Sequence, residues 1–349
     1  MTSETLRIGI VGAGAIVRQR HMPGLEAIPD VEVVAVANRQ PSSSNKFARE
    51  FRIARAHKHW TELVNDPDID VVWIGTTPHM HARVSVAALE AGKHVFCQAR
   101  MARNLGEAQE MVAASERHPN LVTAVCPPPH GLAGDATMRR LLRFERFVGS
   151  VQHVHLTALT SELADATAVL HWRQDAAISG LNTLTVGIYA EVMHRWVGPA
   201  KEIQARTDTH VRTRTDPVSG SLVEVGVPDS VSVIGQLASG ANFAYQWSGI
   251  AQHAPHTEAW IYGSDGTLVY DFDADIIRGA KAKEASLHEI PIPPGEHAPW
   301  TVETDFIRAV REGGSTGLAP SFQTAASYME FTEAVMRSDR EGRKVAFPL

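Results

Sequence analysis

Cysteine is nearly absent: only Cys97 and Cys126 occur among 349 residues. That excludes a disulfide-stapled secreted scaffold. Each cysteine sits inside an apolar run and reads as a buried thiol in a reducing compartment rather than half of a redox pair. Positive charge is not in excess either. The 33 Lys and Arg against 39 Asp and Glu leave a formal charge of −6, which argues against a nucleic-acid partner because phosphates need a positive stripe. No apolar run approaches the ~20 residues of a membrane span, so no membrane partner is expected. The polar start leads directly into a strand pattern, so no signal peptide is expected and the cytoplasm is the expected location. Low-complexity segments and internal repeats are missing. What remains is globular composition, 44% apolar and 21% charged, at a length that suits two domains.

Over the first 125 residues short apolar runs alternate with helical patterns. Strands are expected at 6–11, 31–37, 70–75, 94–97 and 121–125, where Pro127-Pro128-Pro129 stops the last. Helices are expected at 15–28, 42–51 with Ser42 as N-cap, 78–91 with Pro78 in the first turn, and 104–117. Continuous apolar strands separated by helices imply right-handed crossovers and a doubly wound parallel sheet. After about Phe144 the rhythm changes to strands at 151–159, 202–213, 221–227, 230–238, 241–247, 258–262 and 267–270. Turn signals such as Ser239-Gly240 separate them, and helices are expected at 181–196, 301–311 and 321–340. The expected fold is α/β plus α+β. Residues 1–126 form a dinucleotide-binding domain, and residues 127–349 a domain on an open, mainly antiparallel sheet, whose last helices can pack back on the first domain.

Gly12-Ala13-Gly14-Ala15-Ile16-Val17 follows the first strand and opens the first helix. The turn needs glycine at Gly12, Gly14 lets the backbone approach a pyrophosphate, and Ala15 and Ile16 bring free N–H groups at a helix N-terminus. The strand–turn–helix–strand context makes this a Rossmann cofactor turn rather than a bare tight turn. Val17 replaces the third glycine of the fingerprint and is expected to push the helix slightly off the sheet. At the end of the second strand an NAD site carries a carboxylate for the ribose diol, whereas an NADP site replaces it with a cation. Here stand Asn38 and Arg39, with Ser42, Ser43, Ser44 and Lys46 behind them, so NADP(H) is favoured over NAD(H).

Read with Thr76-Thr77-Pro78-His79-Met80-His81, the run from Ala88 to Cys97, Trp172-Arg173, the run from Tyr262 to Leu268 and the helix from Glu333 to Ser338, the chain resembles the Gfo/Idh/MocA family of sugar and polyol oxidoreductases over nearly its whole length. The resemblance implies a Rossmann domain followed by a substrate domain. It also implies a small-molecule substrate between sheet and nicotinamide, and a homodimer or homotetramer assembled through the open sheet. It places Thr76, Thr77, His79 and His81 along the cofactor and Arg173 in the substrate pocket.

Two departures stand out. Where the family reads Glu-Lys-Pro, with the lysine in proton transfer, this chain has Gln98-Ala99-Arg100. Where the family places an aspartate four residues before a histidine or tyrosine, it has Thr185 and Tyr189. Alanine carries no proton, a loss typically worth ~10²–10⁴ in rate. Tyr189 is the expected catalytic residue, provided a nearby cation lowers its pKa from about 10. Arg100 is too basic for a general acid and is expected, with Thr185 and Arg173, to hold substrate. Gln98 is expected to orient the nicotinamide amide or a substrate hydroxyl. His130, His153, His155 and His171 are further candidate bases. Glu191 and His194 share a helix face at i,i+3, but no second cluster accompanies them, nor does the loop pair His253 and His256. An ordinary helix-surface pair is expected there, and no metal.

Three functions fit. One is an NADP(H)-dependent oxidoreductase of a small polyol, sugar or related carbonyl compound. The second is a non-redox lyase or hydrolase that retains its nucleotide through purification. The third is an inactive nucleotide- or ligand-binding regulator, which would bind without turnover.

Overall fold

The apolar runs of the N-terminal third pair into a single parallel sheet. The computed structural model describes residues 5–127, 132–253, 257–297, 300–314, 318 and 320–349. The chain divides into two compact units, Met1–Pro127 with Thr301–Met329 and Pro128–Trp300 with Glu330–Leu349. In the first unit, β1 (Leu6–Val11), β2 (Val31–Ala37), β3 (Arg55–Ala56), β4 (Val71–Ile74), β5 (His94–Cys97) and β6 (Thr123–Val125) lie in the order β3-β2-β1-β4-β5-β6. Every neighbouring pair is parallel, and the order reverses between β1 and β4, the switch point at which such sheets bind nucleotides. All four residues of β4 are buried, because helices cover both sheet faces.

The helices of this unit start where local chemistry allows. A helix begins at residue 15, passes through a π-helical turn at Val17–His21 and ends as α1 (Met22–Glu26), short of the expected residue 28. The second helix, α2 (Pro41–Phe51), has Gln40 rather than Ser42 as N-cap. Pro41 takes the first helical position, where its missing N–H costs nothing, so the helix starts one residue early. The short α3 (Trp60–Val64) and strand β3 carry no strong periodicity and were not expected. Pro78 opens α4 (Pro78–Glu90), and Asn104 caps α5 (Leu105–Arg117) by accepting the Glu107 N–H at 2.9 Å.

The second unit begins with α6 (Asp135–Arg139) and is built on β7 (Val151–Leu159). Next come α7 (Ala176–Ser179), α8 (Val186–Val197), β8 (Ala200–Asp208), β9 (Thr213–Thr215) and β10 (Leu222–Glu224). The strands β11 (Ser230–Leu237), β12 (Asn242–Ser248), β13 (Thr257–Gly263), β14 (Gly266–Asp271), β15 (Ile276–Lys281) and β16 (His288–Ile290) follow. With β17 (Val345–Ala346) they form a nine-stranded sheet ordered β16-β15-β14-β13-β7-β12-β11-β8-β17, antiparallel except for β7 and β12. The expected strand over 202–213 is broken because the Asp229 carboxylate captures the amides of His210 and Val211, turning the chain and leaving β9 to pair with β10. The expected helix over 181–196 starts only at Val186. Asn182 and Thr183 bond to the carbonyls of Ser179 and Pro228, and Leu184 takes a φ of 45°.

Burial alternates along β11 and β12, so one face of the sheet is packed and the other is bare. On the packed face Trp196 of α8 meets Tyr270 at 5.0 Å and Phe272 at 5.8 Å. The bare face shows Ile234, 60% exposed, with Trp260 stacked near Tyr262. Two helices precede β17, α9 (Val302–Glu312) and α10 (Phe322–Glu341). Among the described residues no helix is long and apolar enough to cross a membrane.

Candidate functional site

In the first unit the turn after β1 is shaped for a ligand. Gly12 has a φ of 86°, and a Cβ there would stand 2.7 Å from the Thr76 amide nitrogen, so only glycine fits. Gly14 is exposed, and among the described residues, its chain neighbours aside, the atom nearest a Cβ built on it is the Gly75 oxygen at 3.9 Å, which leaves its outward side open. The Arg18 N–H closes the first helical turn on the Gly14 oxygen at 3.1 Å, placing the Ala15 and Ile16 amides at the helix start. Thr76 Oγ1 is buried with no hydrogen-bond partner among the described residues. An open glycine cradle at a helix N-terminus beside an orphaned hydroxyl fits the diphosphate of a dinucleotide.

Val17 does not lift the helix away. It is fully buried, and its Cγ2 fills the place a Cβ on Gly75 would take, so glycine at the end of β4 does the work of the missing third glycine.

At the tip of β2, Asn38 is turned inward. Its Oδ1 accepts the Ala13 N–H at 2.7 Å, and its Nδ2 donates to Ser43 Oγ at 3.1 Å. The Ser44 hydroxyl accepts the Asn38 N–H at 2.8 Å. Two of the three serines behind Arg39 are therefore committed to Asn38, while Arg39, Ser42 and Lys46 stay exposed.

After β4, the Thr77 hydroxyl and His79 Nδ1 are 2.9 Å apart. Burial, followed by the charges of Arg103, Arg39 and Arg83, holds the His79 pKa below its usual value. His81 has no exposed surface; Nδ1 lies 2.9 Å from the Arg100 oxygen and Nε2 2.9 Å from the Thr76 oxygen. Its side chain acts on the backbone it holds rather than on a nucleotide directly.

Gln98, expected to face nicotinamide or substrate, is 5% exposed and directed into the protein. Its side-chain nitrogen meets His21 Nε2, and its oxygen accepts the Ala99 N–H at 3.2 Å. Arg100 is half-buried.

In the second unit Thr185 precedes the first turn of α8 and its carbonyl accepts the Tyr189 N–H at 3.0 Å. Tyr189 stacks obliquely on Phe272 at 4.8 Å. Burial pushes its phenol up to about 12; a hydrogen bond with Thr257 opposes the shift and the Asp273 carboxylate adds to it. The expectation of an activating cation is thus corrected, since the charge that acts on Tyr189 is negative. Arg173 lies over the Trp172 ring at 4.2 Å, and His171 caps the short turn before it by accepting the Arg173 N–H at 3.3 Å.

The other candidates separate. His153 and His155 alternate with the buried Val154 and Leu156, which puts them on the bare sheet face, away from α8. His130 and His256 lie outside the described residues. Glu191 and His194 are not a surface pair. Glu191 is 4% exposed and pairs with Arg195 at 2.9 Å, and Arg195 also reaches Asp135 at 2.6 Å. Burial drives the His194 pKa down to about 4. Thr257 and Asp273, neighbours of Tyr189, escaped the sequence reading because both lie on other elements and match no motif.

The chain belongs to the Gfo/Idh/MocA family of sugar and polyol oxidoreductases. Residues 6–125 match the family's NAD-binding Rossmann fold, and residues 136–269 match its C-terminal domain. Trans-1,2-dihydrobenzene-1,2-diol dehydrogenase of Danio rerio is 32% identical over 272 residues, which cover 75% of this chain and 73% of that protein. Levoglucosan dehydrogenase of Pseudarthrobacter phenanthrenivorans is 25% identical over 381 residues, covering 96% of each. Inositol 2-dehydrogenase of Acidothermus cellulolyticus is 26% identical, covering 99% of this chain and 96% of that one. The solved structure of levoglucosan dehydrogenase with NADH and L-sorbose has the same fold, with a TM-score of 0.86 at 24% identity over 98% of this chain and 99% of that one.

Proposed function

We propose that this Gfo/Idh/MocA oxidoreductase interconverts a secondary alcohol and a ketone on a small sugar or polyol, with NADP(H) as its cofactor. Residues 1–126 hold the nucleotide and residues 127–349 the substrate. The observation that carries the reading is the cradle of Gly12 and Gly14 beside the unpartnered Thr76 hydroxyl. Support for NADP(H) comes from the tip of β2, where no carboxylate is present, Asn38 is bonded inward and Arg39 is exposed. Relatives that act on levoglucosan and inositol support a ring polyol or anhydrosugar as substrate.

When bound, the nicotinamide supplies or takes up the hydride. The amides of Ala15 and Ile16 would hold the diphosphate and Arg39 the 2′-phosphate, while His81 keeps the Thr76 and Arg100 carbonyls in place. Tyr189, protonated at neutral pH, donates its hydroxyl proton to the oxygen of the substrate carbonyl as that carbon gains hydride. Because the phenol is protonated at neutral pH, it rests in the form that reduction of a carbonyl needs. Arg173, Arg100 and Thr185 orient the substrate's hydroxyl or anionic groups. The bare sheet face with Ile234, Trp260 and Tyr262 is where copies of the chain meet as a dimer or tetramer, and the buried thiols Cys97 and Cys126 suit a reducing cytoplasm.

The test is titration of the purified protein with NADPH and NADH by nicotinamide fluorescence, followed by assay of levoglucosan, inositols and their ketones at the nicotinamide absorbance band. Tighter, exchangeable NADPH binding with turnover is expected. Nucleotide that cannot be washed out, with no net turnover, would replace this reading with a non-redox enzyme, and binding of neither nucleotide would overturn it.

A further inference from the structure

A buried hydrogen-bonded chain runs under the segment that follows β5, and none of its lower members belongs to the proposed nucleotide or substrate contacts. His21 closes the π-helical turn with no exposed surface, 5.0 Å from the Trp73 ring and 5.4 Å from Phe96. Its Nδ1 lies 2.5 Å from Oε1 of Glu303, a 2%-exposed residue in the first turn of α9. Its Nε2 meets the side-chain nitrogen of Gln98, whose oxygen accepts the Ala99 N–H at 3.2 Å.

The donors and acceptors of these contacts favour one arrangement. The Gln98 oxygen is committed to the Ala99 N–H, so its NH₂ group faces His21 and can only donate. His21 Nε2 must accept, which puts the ring proton on Nδ1, where it donates to the Glu303 carboxylate. A flipped Gln98 amide would oppose two N–H groups at Ala99. The carboxylate therefore selects the His21 tautomer, and the tautomer selects the orientation of Gln98.

Other groups hold the same segment from neighbouring elements. His81 stands at the Arg100 oxygen, and the Tyr328 hydroxyl accepts the Met101 N–H at 2.7 Å. The segment lies at the C-terminal end of β5, on the sheet edge that also carries Gly12 and Thr76. A π-helical turn inside a helix costs regular hydrogen bonds and tends to occur where a side chain must be aimed; here it ends on His21.

We propose that Glu303 and His21 are positioning residues, which fix the backbone of residues 99–100 at the rim of the nucleotide cradle through Gln98. The effect on turnover rests on the oxidoreductase reading above; the positioning itself does not, and the two are measured separately.

The test compares full-length Glu303→Gln, whose amide oxygen still accepts from His21, with the double variant His21→Leu/Glu303→Leu, which replaces both partners by apolar groups. Hydrogen–deuterium exchange of residues 98–103 is followed without ligand, together with NADPH affinity and steady-state kinetics. In the double variant, exchange at Ala99 is expected to rise at least about tenfold. Its kcat is expected to fall by about tenfold or more, with NADPH affinity within about threefold of the parent. Glu303→Gln is expected to stay within about threefold of the parent in all three. If the double variant does not fold, Gln98→Met cuts the chain at its upper link and is read by the same exchange measurement. Unchanged exchange in whichever variant folds, or a Glu303→Gln protein as impaired as the double variant, overturns the proposal. Absent turnover in the parent protein with accelerated exchange in the variant would fault the oxidoreductase reading and leave the positioning intact.

Discussion

The side-chain oxygen of Asn38 accepts the backbone N–H of Ala13 at 2.7 Å, which ties the tip of β2 to the glycine turn that follows β1. The residue at the proposed ribose-reading position thereby braces the glycine turn proposed to hold the diphosphate. Its amide nitrogen is engaged by Ser43, and Arg39, Ser42 and Lys46 are left exposed.

Cofactor choice tests that arrangement. Arg39→Ala is expected to weaken NADPH binding by about 10- to 100-fold while changing NADH by less than about threefold, since only NADPH carries the phosphate that guanidinium binds. Asn38→Asp keeps the acceptor for Ala13 and adds a charge that repels the 2′-phosphate, so it is expected to shift preference toward NADH. Fluorescence titration of both nucleotides checks this. Equal losses for the two after Arg39→Ala would refute the selectivity.

Gly75 and Val17 share one volume. A Cβ on Gly75 would overlap Val17 Cγ2 and stand 2.5 Å from the Gly12 oxygen. Gly75→Ala is expected to lower stability by about 1–3 kcal/mol in urea unfolding. Adding Val17→Ala should restore part of that loss, because the methyl is removed while the clash with the Gly12 carbonyl persists. A double variant no more stable than Gly75→Ala alone would show that Val17 is not the neighbour that matters.

Tyr189→Phe removes the proposed proton donor and is expected to cut turnover by about 10²–10⁴. The phenol, raised to about 12, stays protonated across neutral pH, so the rate profile should show no tyrosine ionisation below pH 10. The sign for stability follows from the raised pKa. The contribution is complete below the ordinary value of 10 and is lost as pH climbs toward 12, so alkaline unfolding of Tyr189→Phe should be less steep in that window. A break in kcat near pH 8 that vanishes in Tyr189→Phe would contradict this placement.

His194 governs the acid side. Its ring is buried, Nδ1 has no hydrogen-bond partner among the described residues, and burial lowers its pKa from 6.5 to about 4. A histidine depressed in the folded state stabilises above the unfolded pKa, and that stabilisation is lost as pH falls from 6.5 to 4, by about 3 kcal/mol. His194→Leu is expected to flatten the decline between those pH values in chemical denaturation. An unchanged acid arm would mean that the ring is charged in the native state.

The amount legible in the sequence varied with how local the information was. Four of the five long strands of the second unit, β7, β11, β12 and β13, came within a residue or so of their expected bounds, because period-two burial against one face is written into consecutive residues; the fifth, β8, ends early where Asp229 turns the chain. β15 and β16 were missed: Arg278 and Gly279 interrupt the apolar pattern of β15, and the order comes from pairing of β15 with β14 and of β16 with β15. Gln98 was misplaced for a similar reason. Nothing near it in sequence shows that a histidine 77 residues earlier accepts its amide.

By itself the sequence determined the parallel sheet, the glycine turn at its switch point and the absence of a carboxylate after β2, since backbone dihedral demands, apolar periodicity and residue type act over a few neighbouring residues. Tertiary structure decided what each polar group faces. It turned Asn38 inward, gave Val17 its room at Gly75 and buried Glu191 against Arg195. It also joined His21 to Glu303 across 282 residues of chain. Hydrogen-bond partners and desolvation depend on which elements pack together, and that is settled only when the whole chain has folded.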